Sequence, residues 1–109
     1  MLQAAVQEVN TTRKLTVFQN AEARLEQSRF RLDLILTKVD RAVAAGRISP
    51  SPQLDRAVTG ARKQLAAAEL SLERLENEDS PCWDRRRREV QAALEDLAES
   101  IQKVVARIQ

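Results

Sequence analysis

No histidine or tyrosine occurs in the 109 residues, cysteine and tryptophan occur once each, glycine twice and proline three times. Each shortage closes off a kind of chemistry. Without histidine the commonest general base and metal ligand is missing, and a lone cysteine, Cys82, builds neither a zinc site nor an internal disulfide. Two glycines provide no phosphate-cradling loop, and no GxSxG-type nucleophile motif is present. Nowhere do 18 apolar residues follow one another, and Met1-Leu2-Gln3-Ala4 lacks the basic region and apolar run of a signal peptide. The expectation is a non-enzymatic, cofactor-free, metal-free protein with no membrane segment, placed by its single thiol in the reducing cytoplasm.

What is there points to helices. Apolar residues make up 43% of the chain but aromatics only 3%, so the core must be Leu, Val, Ile and Ala, the recipe of a helical bundle or coiled coil. Charged residues make up 31% with both signs mixed and a net charge of +2, which argues against a dedicated polyanion binder. Acids such as Glu95 and Asp96 fall mainly outside the apolar stripes and read as a solvated face that pairs with Lys and Arg at helical spacing.

Three stripes with alternating steps of three and four residues carry the fold. The second is unbroken at Leu54, Val58, Ala61, Leu65, Ala68, Leu72 and Leu75. The third holds Trp83, Arg87, Val90, Leu94, Leu97, Ile101, Val104 and Ile108, with Arg87 its one polar member. The first holds Phe18, Ala21, Leu25, Ser28, Leu32, Ile35, Val39 and Ala42, widened by Leu15, Leu36 and Val43. Ser51-Pro52-Gln53-Leu54-Asp55 and Ser80-Pro81-Cys82-Trp83-Asp84 repeat one device: serine at an N-cap, proline at the first helical position, an acid in the first turn. Gly46 suits the left-handed residue that ends a helix. The sequence thus predicts one all-α domain over residues 1–109. It is an antiparallel, coiled-coil-like three-helix bundle, up-down-up, with helices over 2–45, 52–78 and 81–108.

The first helix is over-long. At about 1.5 Å per residue it spans about 66 Å against about 40 Å for the others, so some 15 residues overhang. The overhang carries its own stripe, Leu2, Val6, Val9 and Thr16, out of phase with the bundle stripe by two residues. That stripe is either a frayed end or an apolar arm for a partner protein or a second copy forming a homodimer, with Leu2, Val6 and Val9 as its contacts.

Arg85-Arg86-Arg87-Arg88 places four cations near a helix start, where the dipole disfavours positive charge. The plain explanation is pairing with Glu76, Glu78, Asp79, Asp84 and Glu89. The functional one is capture of an acidic protein segment by Arg85, Arg86 and Arg88. Nucleic acid fits less well, because there is no aromatic platform and no basic face elsewhere. Arg87 stands apart, since its stem can cover the core.

The segment Lys63-Gln64-Leu65-Ala66-Ala67-Ala68-Glu69-Leu70-Ser71-Leu72-Glu73-Arg74-Leu75-Glu76-Asn77-Glu78 resembles the end of the second helix in the tubulin-binding cofactor A family, whose members are small helical cochaperones that hold β-tubulin. Total length and a long first helix are similar too. The chain departs at Pro52-Gln53-Leu54-Asp55-Arg56, which keeps little more than the leucine and a base of that family's signature. Val90-Gln91-Ala92-Ala93-Leu94 resembles part of the last helix of BAG-type cochaperones, also three-helix bundles. Both resemblances imply a cochaperone-like protein-binding module, and with the arginine cluster the expectation is an acidic client such as tubulin. The alternative is a structural coiled-coil subunit joined to a larger assembly through the overhang.

Overall fold

The structure, a computed structural model, describes residues 2–77 and 82–109, with side chains from Arg13 onward. It consists of α1 (Leu2–Ala44), α2 (Pro52–Glu76) and α3 (Trp83–Ile108), packed as an antiparallel three-helix bundle 68 Å long and about 18 Å across. The lengths of 43, 25 and 26 residues make α1 the outlier. The two shorter helices pack most extensively on each other, and α1 lies against both with much less contact.

The heptad stripes are the core. Leu25, Leu32, Ile35 and Val39 of α1 meet Leu54, Ala61, Ala68, Leu72 and Leu75 of α2 and Val90, Leu94, Leu97, Ile101 and Val104 of α3. Residues at steps of three and four share one helix face, so three such stripes can close on one another and leave the charged faces in water. Val58, Leu65, Trp83 and Ile108 occupy their stripes only half-buried. Leu36 and Val43 widen the apolar face of α1 as expected, but Leu15 does not: it is 54% exposed. Leu15 lies beside Lys14, which stands over Trp83 at the first residue of α3, so it sits where the bundle runs out of neighbours.

The turn from α1 into α2 follows local chemistry. Gly46 adopts φ 72°, and the Arg47 and Gly46 N–H groups donate back to the Ala42 and Val43 carbonyls at 2.9 and 3.0 Å, a Schellman ending. The Ser51 hydroxyl accepts from the Leu54 N–H at 3.1 Å, with Pro52 at the first helical position and Asp55 in the first turn. The second copy of that device is described from Cys82 onward. α3 begins at Trp83, with Cys82 at the cap position and no side-chain cap hydrogen bond, since a thiol is a poor acceptor. Asp84 is in the first turn, whereas Ser80, Pro81, Glu78 and Asp79 lie outside the described residues. α2 ends at Glu76, where the Asn77 N–H closes onto the Glu73 carbonyl.

Candidate partner-binding surfaces

The arginine cluster covers the first two turns of α3. Glu89 gathers two of its members, Arg86 donating to one carboxylate oxygen at 3.1 Å and Arg85 facing the other at 3.4 Å. The hydrogen bond from Arg86 is the main reason that the Glu89 carboxyl titrates below its ordinary value. Arg87 has its Nε 4.0 Å from Asp84, and it lines a small surface pocket together with Val17, Ala21, Leu75 and Val90. Arg86 is the least exposed of these cations, while Arg88 is exposed and has no ion-pair partner among the described residues. Three of the four arginines are therefore engaged by Asp84 and Glu89. Glu76, expected as a partner, makes no ion pair with them among the described residues.

Two polar contacts between helices were not expected from the sequence. Arg29 of α1 bridges Glu26 on its own helix and Glu69 of α2, the latter at 3.2 Å, and this hydrogen bond raises the guanidinium pKa against a smaller lowering from burial. Arg31 donates to the Gln102 side chain of α3. Neither contact has a signal in sequence, because charged residues on neighbouring helices align only once the register is known.

Other candidate contacts lie on outward faces. Leu70 of α2 is 47% exposed, on a row with Lys63, Ala66 and Glu73, all in the segment that resembles the cofactor A family. On α1, Phe30 is 67% and Leu34 49% exposed. All three fall outside the core stripes, and a signal for them exists in the sequence: each is apolar yet sits opposite its helix's core row. A shallow groove between the end of α1 and the start of α2 is lined by Leu36, Val43, Leu54 and Val58.

α1 continues from Lys14 back to Leu2, past the first residue of α3. The side chains of Leu2, Val6 and Val9 lie outside the described residues. Cys82 is exposed. Among the described residues no helix is long and apolar enough to cross a membrane, and no three metal-ligating side chains come together.

The fold and these surfaces define an all-α three-helix bundle with a long first helix. No protein-family model matches the chain, and no curated protein and no solved structure matches it either.

Proposed function

We propose that the chain is a non-enzymatic protein-binding module that holds a client on its helical surfaces, in the manner of a cochaperone. The observation that supports this reading best is the outward face of α2, where Leu70 stands exposed beside Ala66 and Lys63. A leucine left in water on an outward helix face costs little alone and gains free energy when a partner covers it. The same segment carries the resemblance to the cofactor A family, so β-tubulin is the first client to test. Arg88, exposed, and Arg85, whose contact with Glu89 is long, supply positive charge for an acidic client. Engagement of the other two arginines by acids of α3 weighs against nucleic acid.

The test is binding of purified αβ-tubulin and of a random RNA to the wild type, Leu70→Glu, and Arg85→Gln/Arg88→Gln. Client binding predicts weaker tubulin affinity in both variants, with salt sensitivity reduced in the second. Unchanged tubulin binding by both, or none by the wild type, removes tubulin as the client. RNA binding with a steep salt slope would replace the reading.

A second reading, a structural coiled-coil subunit, is favoured by the length of α1. A bundle whose partners are 25 and 26 residues long has no need of a 43-residue helix.

A further inference from the structure

The frame of α1 is fixed by its core residues. If the buried Leu25, Leu32 and Val39 are taken as the f positions of successive heptads, the opposite, solvent-facing a and d positions are Thr16, Asn20, Ala23, Gln27, Phe30, Leu34 and Thr37. All seven are exposed and none is charged, although charge surrounds them on both sides. The two flanks differ in sign. The e positions are Arg24, Arg31 and Lys38, and the g positions are Glu26, Asp33 and Asp40, every one exposed. One frame, set by three buried residues, sorts six ionisable side chains without exception into a basic edge and an acidic edge.

The same frame accounts for the N-terminal stripe. Counting back from Thr16 in steps of three and four gives Arg13, Val9, Val6 and Leu2, so the apolar residues of the overhang fall on the a and d positions of the outer row. α1 therefore carries two seams, one used by α2 and α3, the other running through the described residues Thr16 to Thr37, about 33 Å long.

We propose that this outer seam pairs with the same seam of a second copy of the chain, the two α1 helices parallel, as a two-stranded coiled coil. Charge decides both occupant and orientation. In a parallel pair the g residue of one helix faces the e residue of the next heptad on the other. Glu26 then meets Arg31 of the second copy, and Asp33 meets its Lys38, and two-fold symmetry repeats both pairs. In an antiparallel pair, g faces g and e faces e, which sets Glu26, Asp33 and Asp40 against their own kind and Arg24, Arg31 and Lys38 likewise. The parallel seam buries Phe30 and Leu34 in both copies. Asn20 and Gln27 at a positions lower its affinity and pin its register. Arg31, now donating to Gln102, and Glu26, now holding Arg29, are exposed and keep those contacts at the edge of the seam.

The experiment is sedimentation equilibrium of the full chain over a hundredfold range of concentration. It covers the wild type, Phe30→Glu, Leu34→Glu, the acidic-edge variant Arg24→Glu/Arg31→Glu/Lys38→Glu and the basic-edge variant Glu26→Lys/Asp33→Lys/Asp40→Lys. Circular dichroism confirms that each keeps its helices. The expected result is a reversible wild-type dimer whose Kd rises by more than about tenfold in every variant alone. Mixing the two edge variants should restore the dimer. Ala23→Cys and Thr37→Cys, each with Cys82→Ser, report orientation, since both cross-link to themselves on oxidation only when the helices are parallel. A wild type that stays monomeric, a dimer indifferent to Phe30→Glu and Leu34→Glu, or cysteines that fail to cross-link at both positions would overturn the proposal. None of these measurements involves a client, so they stand or fall separately from tubulin binding.

Discussion

The ammonium of Lys14 stands 5.5 Å from the ring centroid of Trp83, joining α1 to the first residue of α3. With Arg31 on Gln102 further along, this contact fixes the two helices parallel and in register. It also marks where α1 parts from α3. A cation over an indole face at an exposed site contributes about 0.5–1 kcal/mol. A chain that starts at Leu15 is therefore expected to melt within a few degrees of the full chain, with a small shift in Trp83 fluorescence. Under the parallel pairing it also loses three apolar seam positions, so its dimer weakens. Unfolding of the shortened chain would mean that the N-terminal part of α1 is needed for the bundle itself.

Leu97 is fully buried on α3, and Leu65, on the equivalent stripe of α2, is only half-buried. Leu97→Ala should cost about 2–5 kcal/mol, the usual range for a leucine removed from a closed core. Leu65→Ala should cost distinctly less, because water already reaches part of the side chain. Thermal or urea unfolding by circular dichroism distinguishes them, and equal losses would contradict the half-buried placement of Leu65.

The two glycines are expected to respond with opposite signs. Gly46 has φ 72° and open space where a Cβ would go, so Gly46→Ala suffers only the backbone penalty of about 1–2 kcal/mol. Gly60 lies inside α2 with nothing within 4 Å of a Cβ, and Gly60→Ala should stabilise by about 0.5–1 kcal/mol through helix propensity. Melting temperatures of the two variants, moving in opposite directions, are the check.

Arg86 is the member of the arginine cluster whose loss stability should register. Its hydrogen bond is the main cause that holds the Glu89 carboxyl below the ordinary value of 4.5. A carboxyl lowered in the folded state contributes stability above its unfolded pKa and loses it as pH falls through the folded one. Melting of the wild type at pH 7 and at successively lower pH should show this loss below about 4.5. Arg86→Gln should lower the pH 7 melting temperature and flatten that dependence, whereas Arg88→Gln should leave both nearly unchanged. A titration of Glu89 followed by NMR in the Arg86→Gln variant, if it stayed as low as in the wild type, would assign the shift elsewhere.

Core stripes were legible in the sequence because a heptad frame is a property of one helix at a time. Leu94, Leu97 and Ile101 needed no knowledge of α1 to be placed inward. The Gly46 ending and the Ser51 cap were legible for the same local reason. Where two helices must meet, legibility failed: Arg29 on Glu69 and Arg31 on Gln102 depend on register, and Leu15 depends on where α3 begins. The observed start of α3 at Trp83 lies within two residues of the expected one, and the Ser80-Pro81 half of its motif lies outside the described residues. Phe30 and Leu34 were passed over because the inward row had already explained why α1 is apolar.

Unequal packing divides the molecule into a resistant unit and an opening one. α2 and α3 share most of the interhelical contact, and α1 is bound to each far more lightly. Amide hydrogens of α1 should therefore exchange with solvent through a partial opening that leaves the α2–α3 pair closed, at a free energy below that of global unfolding. Whatever grips the outer row of α1 would slow that exchange along α1 first, so protection factors resolved by helix would locate the bound partner without a structure of the complex.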